Sequence, residues 1–144
     1  MKSGKVPGAK EWLGYEADLD VRYAHDLMFG KSFSEVVQYF AGGRCIERSD
    51  ELLFMPRCAF QYYIFAFVEY IQSPQAEKDS DAASVFLRLL ANREQKDAGS
   101  VKAIYSELRE TVDFVASSQE YFGASPDIYG NFAELGAEVR RLCA

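Results

Sequence analysis

Along the second half of the chain, apolar residues recur with the helical period. Ala82, Val85, Phe86, Leu89 and Leu90 fall at i, i+3, i+4, i+7 and i+8, one continuous stripe, which predicts a helix over 81–93. Val101, Ile104, Tyr105, Leu108, Val112 and Val115 repeat the pattern opposite Lys102, Glu107, Arg109, Glu110 and Asp113, so a half-exposed helix is expected over 101–118. Ile128, Phe132, Leu135, Val139 and Leu142 predict a last helix over 128–142, with Arg140 and Arg141 near its end, where positive charge suits the helix dipole.

The first half is patterned differently. Phe60, Tyr63, Ile64, Phe67 and Ile71 share one face and Cys58, Tyr62 and Phe65 another, so the segment 56–71 is apolar almost all round. Such a helix belongs at the centre of a bundle, with Pro56 suited to its first position. Tyr, Phe, Ile and Val also favour strands, but the run is too long for one. Upstream, Ser32 and Glu35 have the S-x-x-E form of a capping box, predicting a helix from Phe33 to about Ala41 that stops at Gly42 and Gly43. Ser49 is expected to cap a short helix ending before Pro56. From Glu11 to Met28, Trp12, Tyr15, Leu19, Tyr23 and Leu27 recur at helical spacing, with Gly14 as a break. No hairpin signal or internal repeat interrupts this pattern. The expected fold is all-α: a single-domain bundle of five to seven helices around the aromatic-rich helix 56–71. A flexible tail is expected over 1–10 and the helical domain over 11–144.

Composition changes the picture at two points. The 144 residues carry 22 acidic against 16 basic side chains, a net charge of −6, and the first ten residues hold only lysines among their charges. Phosphate contacts dominate nucleic-acid affinity, so an acidic body without a basic stripe argues against DNA, RNA or an anionic membrane as partner. Nor does any segment approach the roughly 20 apolar residues a membrane span requires, or follow the pattern of a signal peptide, and a cytoplasmic protein is expected. The second point is the aromatic content, 15% of the chain, with seven aromatic residues between Phe54 and Tyr70. A filled core accounts for Phe60, Tyr63 and Phe67, whereas Tyr62 and Tyr70 lie beside Gln61 and Glu69 and are candidates for a pocket.

Candidate chemistry is sparse. His25 is the one histidine, too few for a di-iron bundle, a zinc protease or a histidine-rich phosphohydrolase. Cys45, Cys58 and Cys143 have no C-x-x-C spacing and are expected as buried free thiols, with the reactivity of Cys45 left open. Phosphate-loop motifs are absent, and Glu77, Asp79 and Asp81 lack the glycine and distal glutamate of a calcium loop. No cofactor, metal or catalytic residue is therefore assigned. Arg57 and Glu51, on either side of Pro56, are expected to pair with each other.

The run Glu51-Leu-Leu-Phe-Met-Pro-Arg-Cys-Ala-Phe-Gln-Tyr-Tyr-Ile-Phe-Ala-Phe resembles small, helical, uncharacterised bacterial proteins with a proline-started Ala-Phe-x-Tyr-Tyr helix. The resemblance spans residues 25–93 and implies no catalytic residue. Where those proteins have a second proline within the helix, this chain has Phe65.

These observations lead to the expectation of a non-enzymatic, acidic binding protein. Glu16, Asp18 and Asp20 would face a basic protein partner, as an immunity or antitoxin protein meets a cationic toxin. The alternative is a small-molecule-binding protein or enzyme with an aromatic-lined pocket between helices, built from Arg57, Gln61, Tyr62, Glu69 and Tyr70. A homo-oligomer whose extra aromatic surface meets its own copy is the third possibility.

Overall fold

The computed structural model describes residues 4–144, and all of its regular structure among them is helical. Seven helices of nine or more residues pack on one another: α1 (Leu19–Met28), α2 (Phe33–Ala41), α3 (Cys45–Phe54), α4 (Arg57–Gln72), α5 (Ser80–Lys96), α6 (Tyr105–Ala116) and, after a four-residue turn α7 (Pro126–Tyr129), α8 (Phe132–Leu142). The all-α bundle expected from the hydrophobic pattern is therefore the fold. No helix among the described residues is long and apolar enough to cross a membrane.

The capping box is formed as the sequence predicts. Ser32 Oγ accepts from the Glu35 N–H, and Glu35 accepts from the Ser32 N–H. The all-round apolarity of α4 places it against α2, α3, α5 and α6, and Phe60, Tyr63, Ile64, Ala66, Phe67 and Ile71 are fully buried. Pro56 sits one position earlier than expected, as the residue before the first helical one. α8 closes the bundle over α5 and α6.

Four local expectations are corrected. The helix before Pro56 begins at Cys45, and Ser49 lies inside it with its hydroxyl donating to the Ile46 carbonyl rather than capping the start. The 101–118 segment opens with a short 3-10 turn over Lys102–Ile104, and the last helix starts at Phe132 because Gly130 breaks the chain after α7. On α1 the buried residues are Ala24 and Met28, while Leu19 and Tyr23, expected on the inner face, are exposed. The expected flexible tail falls partly on residues 1–3, which lie outside the described residues; of those that follow, Pro7 is buried.

A buried polar cluster ties the end of α3 to α5 and to the connection that follows α5. Arg93 is almost fully buried, and its Nη1 donates to the carbonyls of Leu53 and Met55 at 2.7 Å each, closing the C-terminal end of α3. The neighbouring Glu94 accepts the N–H groups of Gly99, Val101 and Lys102 at 2.6, 2.8 and 2.9 Å, which fixes the α5–α6 connection. Helix termini leave carbonyl and N–H groups without intrahelical partners, and here two adjacent charged side chains satisfy both kinds.

Candidate functional site

The segment before α1 is shaped by aromatic rings. Successive turns carry the chain from Gly8 to Ala17, and Trp12 is fully buried. Tyr15 stacks on His25 of α1 with ring centroids 3.6 Å apart, Phe29 covers the imidazole's surroundings at 4.7 Å, and Trp12 meets it edge-on at 5.4 Å. His25 is thereby a packing residue, with the Asp26 carboxylate 3.3 Å from Nδ1. Asp18 caps α1 by accepting the N–H groups of Asp20 and Val21.

Because the inner side of this segment is occupied by Trp12, Ala24, His25 and Met28, other apolar residues are turned outward. Leu13 is 80% exposed, Leu19 78% and Tyr23 64%, and Leu19 and Tyr23 are one helical turn apart on α1. Glu16, Asp18 and Asp20 are exposed within the same stretch. The three carboxylates singled out from sequence are thus interleaved with three large apolar side chains, two of which, Leu19 and Tyr23, the periodicity had assigned to the inner face. The signal that could have separated them is Ala24-His25 followed by Met28, a narrower inner stripe than Leu19, Tyr23 and Leu27 suggested.

The residues of the alternative pocket do not come together. Tyr70 is buried and donates to Asp79 Oδ2 at 2.5 Å, and burial together with that bond pushes its hydroxyl above the ordinary tyrosine range. Glu69 is exposed. Arg57 does not pair with Glu51 but with Asp97, 40 residues away, and also donates to the Ala98 carbonyl, while Glu51 accepts from Arg48 at 2.6 Å. Sequence separation hides such partners, whereas Arg48–Glu51 is a local i, i+3 pair.

Gln61 and Tyr62 do share a cavity wall. An open groove of about 880 Å³ runs between residues 4–11 and the start of α4, and its lining includes Lys5, Lys10, Cys58, Gln61 and Tyr62. Gln61 donates to the Ser100 carbonyl, and Tyr62 is held edge-on by Phe33 and Tyr63. Cys58 is exposed, contrary to the expectation of a buried thiol. The other two cysteines are buried: desolvation, helped by the nearby carboxylates of Asp79 and Asp81, pushes Cys45 up to about 12, and desolvation pushes Cys143 up to about 11. Cys45 is accordingly a packed, unreactive thiol donating to the Phe40 carbonyl.

Among the described residues, no group of three or more His, Cys, Asp or Glu side chains could hold a metal ion. Compared with known protein families, curated proteins and solved structures, the chain matches none of them.

Proposed function

We propose that this protein is a non-catalytic binding protein that engages a basic protein partner through the face formed by Leu13, Glu16, Leu19, Asp20 and Tyr23. The observation that carries this reading is the exposure of Leu13, Leu19 and Tyr23 among carboxylates. Large apolar side chains turned to water in one stretch mark an association surface, and a tyrosine among them is a common energetic anchor. The interleaved carboxylates and the net charge of −6 select cationic partners, because complementary charge speeds encounter and disfavours acidic proteins. Asp18 contributes charge while its side chain caps the helix. An acidic protein capturing a basic toxin, in the manner of an immunity or antitoxin protein, is the sharpest form of this reading.

The test is retention of host proteins on the immobilised chain at low and high salt. The expected result is one basic protein retained stoichiometrically at low salt, lost at high salt, and not retained by a Leu19→Ala/Tyr23→Ala/Asp20→Asn variant. Retention that ignores both salt and these substitutions contradicts the reading. Light scattering on the free protein distinguishes the remaining outcome, in which the same face meets its own copy.

A further inference from the structure

We propose that residues 4–17 form a strap that undocks from the bundle as a unit, and that its docking assembles the partner face. The strap's polar bonds are its own. Its turns from Gly8 to Ala17 close on carbonyls within the segment, and the Glu11 carboxylate accepts from the Gly8 N–H at 2.8 Å. Among the described residues, no hydrogen bond joins residues 4–17 to the helices. The other long connections differ: Glu94 holds the α5–α6 connection by three N–H groups, and Gln119 pins the loop before α8 at both of its ends. What attaches the strap is apolar, namely the buried Trp12 and the stack of Tyr15 on His25.

Docking also carries a cost. Trp12 Nε1 is buried without a hydrogen-bond partner, a donor that water satisfies once the strap is released. Residues 4–11 stand off the start of α4 across the open groove of about 880 Å³, so this part of the strap adds little packing. Release leaves the start of α1 intact, because Asp18, the first residue beyond the strap, caps it by accepting the N–H groups of Asp20 and Val21. A segment bonded to itself, held by a few rings and followed by an independently capped helix has the make-up of a unit that opens locally. The functional half of the proposal rests on the partner face proposed above, whose Leu13 and Glu16 lie on the strap and whose Leu19, Asp20 and Tyr23 lie on α1. A partner that touches both parts binds only the docked state. Its apparent affinity therefore scales with the docked fraction, and binding holds the strap down in return.

The experiment is a urea titration of the whole protein followed by two signals. Trp12 is the one tryptophan, so its emission and acrylamide quenching report docking. Far-UV circular dichroism reports the helices and is nearly blind to a strap whose only regular structure is the 3-10 turn Tyr15–Ala17. The expected result is a Trp12 transition at lower urea than the loss of ellipticity. Tyr15→Ala should raise the ratio of undocked to docked protein about tenfold, moving the first transition and leaving the second in place, whereas Tyr15→Phe, which keeps the stack, should move neither. Coincident transitions in the unsubstituted protein overturn the proposal. The basic protein retained from host lysate, once purified and added, should move the first transition to higher urea, and a first transition that stays in place with that protein bound overturns the switch. Failure of the partner reading shows differently, as retention that ignores the substitutions at Leu19, Asp20 and Tyr23, and it leaves the two transitions of the free protein separate.

Discussion

Tyr15 and His25 lie face to face, their rings 3.6 Å apart and within 8° of parallel, and this contact clamps the segment before α1 onto the bundle. Trp12 is packed beneath it and is the chain's one tryptophan, so its fluorescence reports the clamp directly. Removing the imidazole with His25→Ala deletes contacts to three aromatic rings and is expected to cost about 2 kcal/mol. Urea unfolding should show that loss, and acrylamide should quench Trp12 more strongly than in the unsubstituted protein. Unchanged quenching would mean that the segment is held by something other than this stack.

Arg93 closes one helix end and supports one connection. With its Nη1 on the carbonyls of Leu53 and Met55 and its Nε on Ser100 Oγ, replacement by methionine strands several buried acceptors at once. The expected loss is about 3–5 kcal/mol in denaturant unfolding. Arg93→Lys should recover little of it, since an ammonium cannot span the same fork of acceptors.

Gly136 is buried in the middle of α8, and a Cβ built there would come within 2.6 Å of Ala116 Cβ on α6. Alanine raises helix propensity by about 1 kcal/mol, but overpacking of this kind costs about 1–3 kcal/mol, so the clash decides the sign. Gly136→Ala should therefore lower the midpoint of thermal unfolding. Adding Ala116→Gly should restore part of the loss, a coupling that a double-mutant cycle measures.

Asp97 accepts from Arg57 Nε and Nη2 and from Ser100 Oγ, and these bonds hold its carboxyl well below the usual carboxylate range. A carboxylate depressed in the folded state stabilises the protein above its unfolded-state value, here 3.8, and loses that contribution as pH falls below it. Glu51 acts with the opposite sign, because burial raises it and its ionisation opposes folding as pH rises past 4.5. Asp97→Asn should therefore be less stable than the unsubstituted protein at pH 7, with the difference shrinking as pH falls below 3.8. Because Arg57 and Asp97 are both partly exposed, added salt should narrow the difference at pH 7 as well.

Local signals were legible in the sequence and long-range polar pairings were not. The start of α2 follows from the Ser32–Glu35 capping box and its end from Gly42 and Gly43, and the burial of α4 follows from its composition. Arg93 and Glu94 read as polar residues at the end of an amphipathic stripe, yet both are buried, because their partners lie in the ends of other elements. Arg57 found Asp97 rather than Glu51 for the same reason. Gln119 went unnoticed too: its side chain donates to the Ala124 and Gly130 carbonyls and accepts from the Phe132 N–H, pinning the loop before α8. On the face before and along α1, Glu16, Asp18 and Asp20 were readable as acidic, but their exposed apolar companions were not, since an exposed Leu19–Tyr23 pair has the same spacing as a buried one. In the groove, Gln61 and Tyr62 could be named while Lys5, Lys10 and Cys58 could not, because the first two lie more than 50 residues away along the chain.

The central claim, that the face around Leu19 and Tyr23 receives a basic protein partner, is tested most directly by site-specific photo-crosslinking in the native host. A photoreactive side chain replaces Leu19 in one variant and Ile128, also exposed at 75% but on α7, in another. The predicted result is one crosslinked protein of basic isoelectric point from position 19 and none from position 128. Crosslinks to no protein from position 19, or the same products from both positions, would contradict the claim.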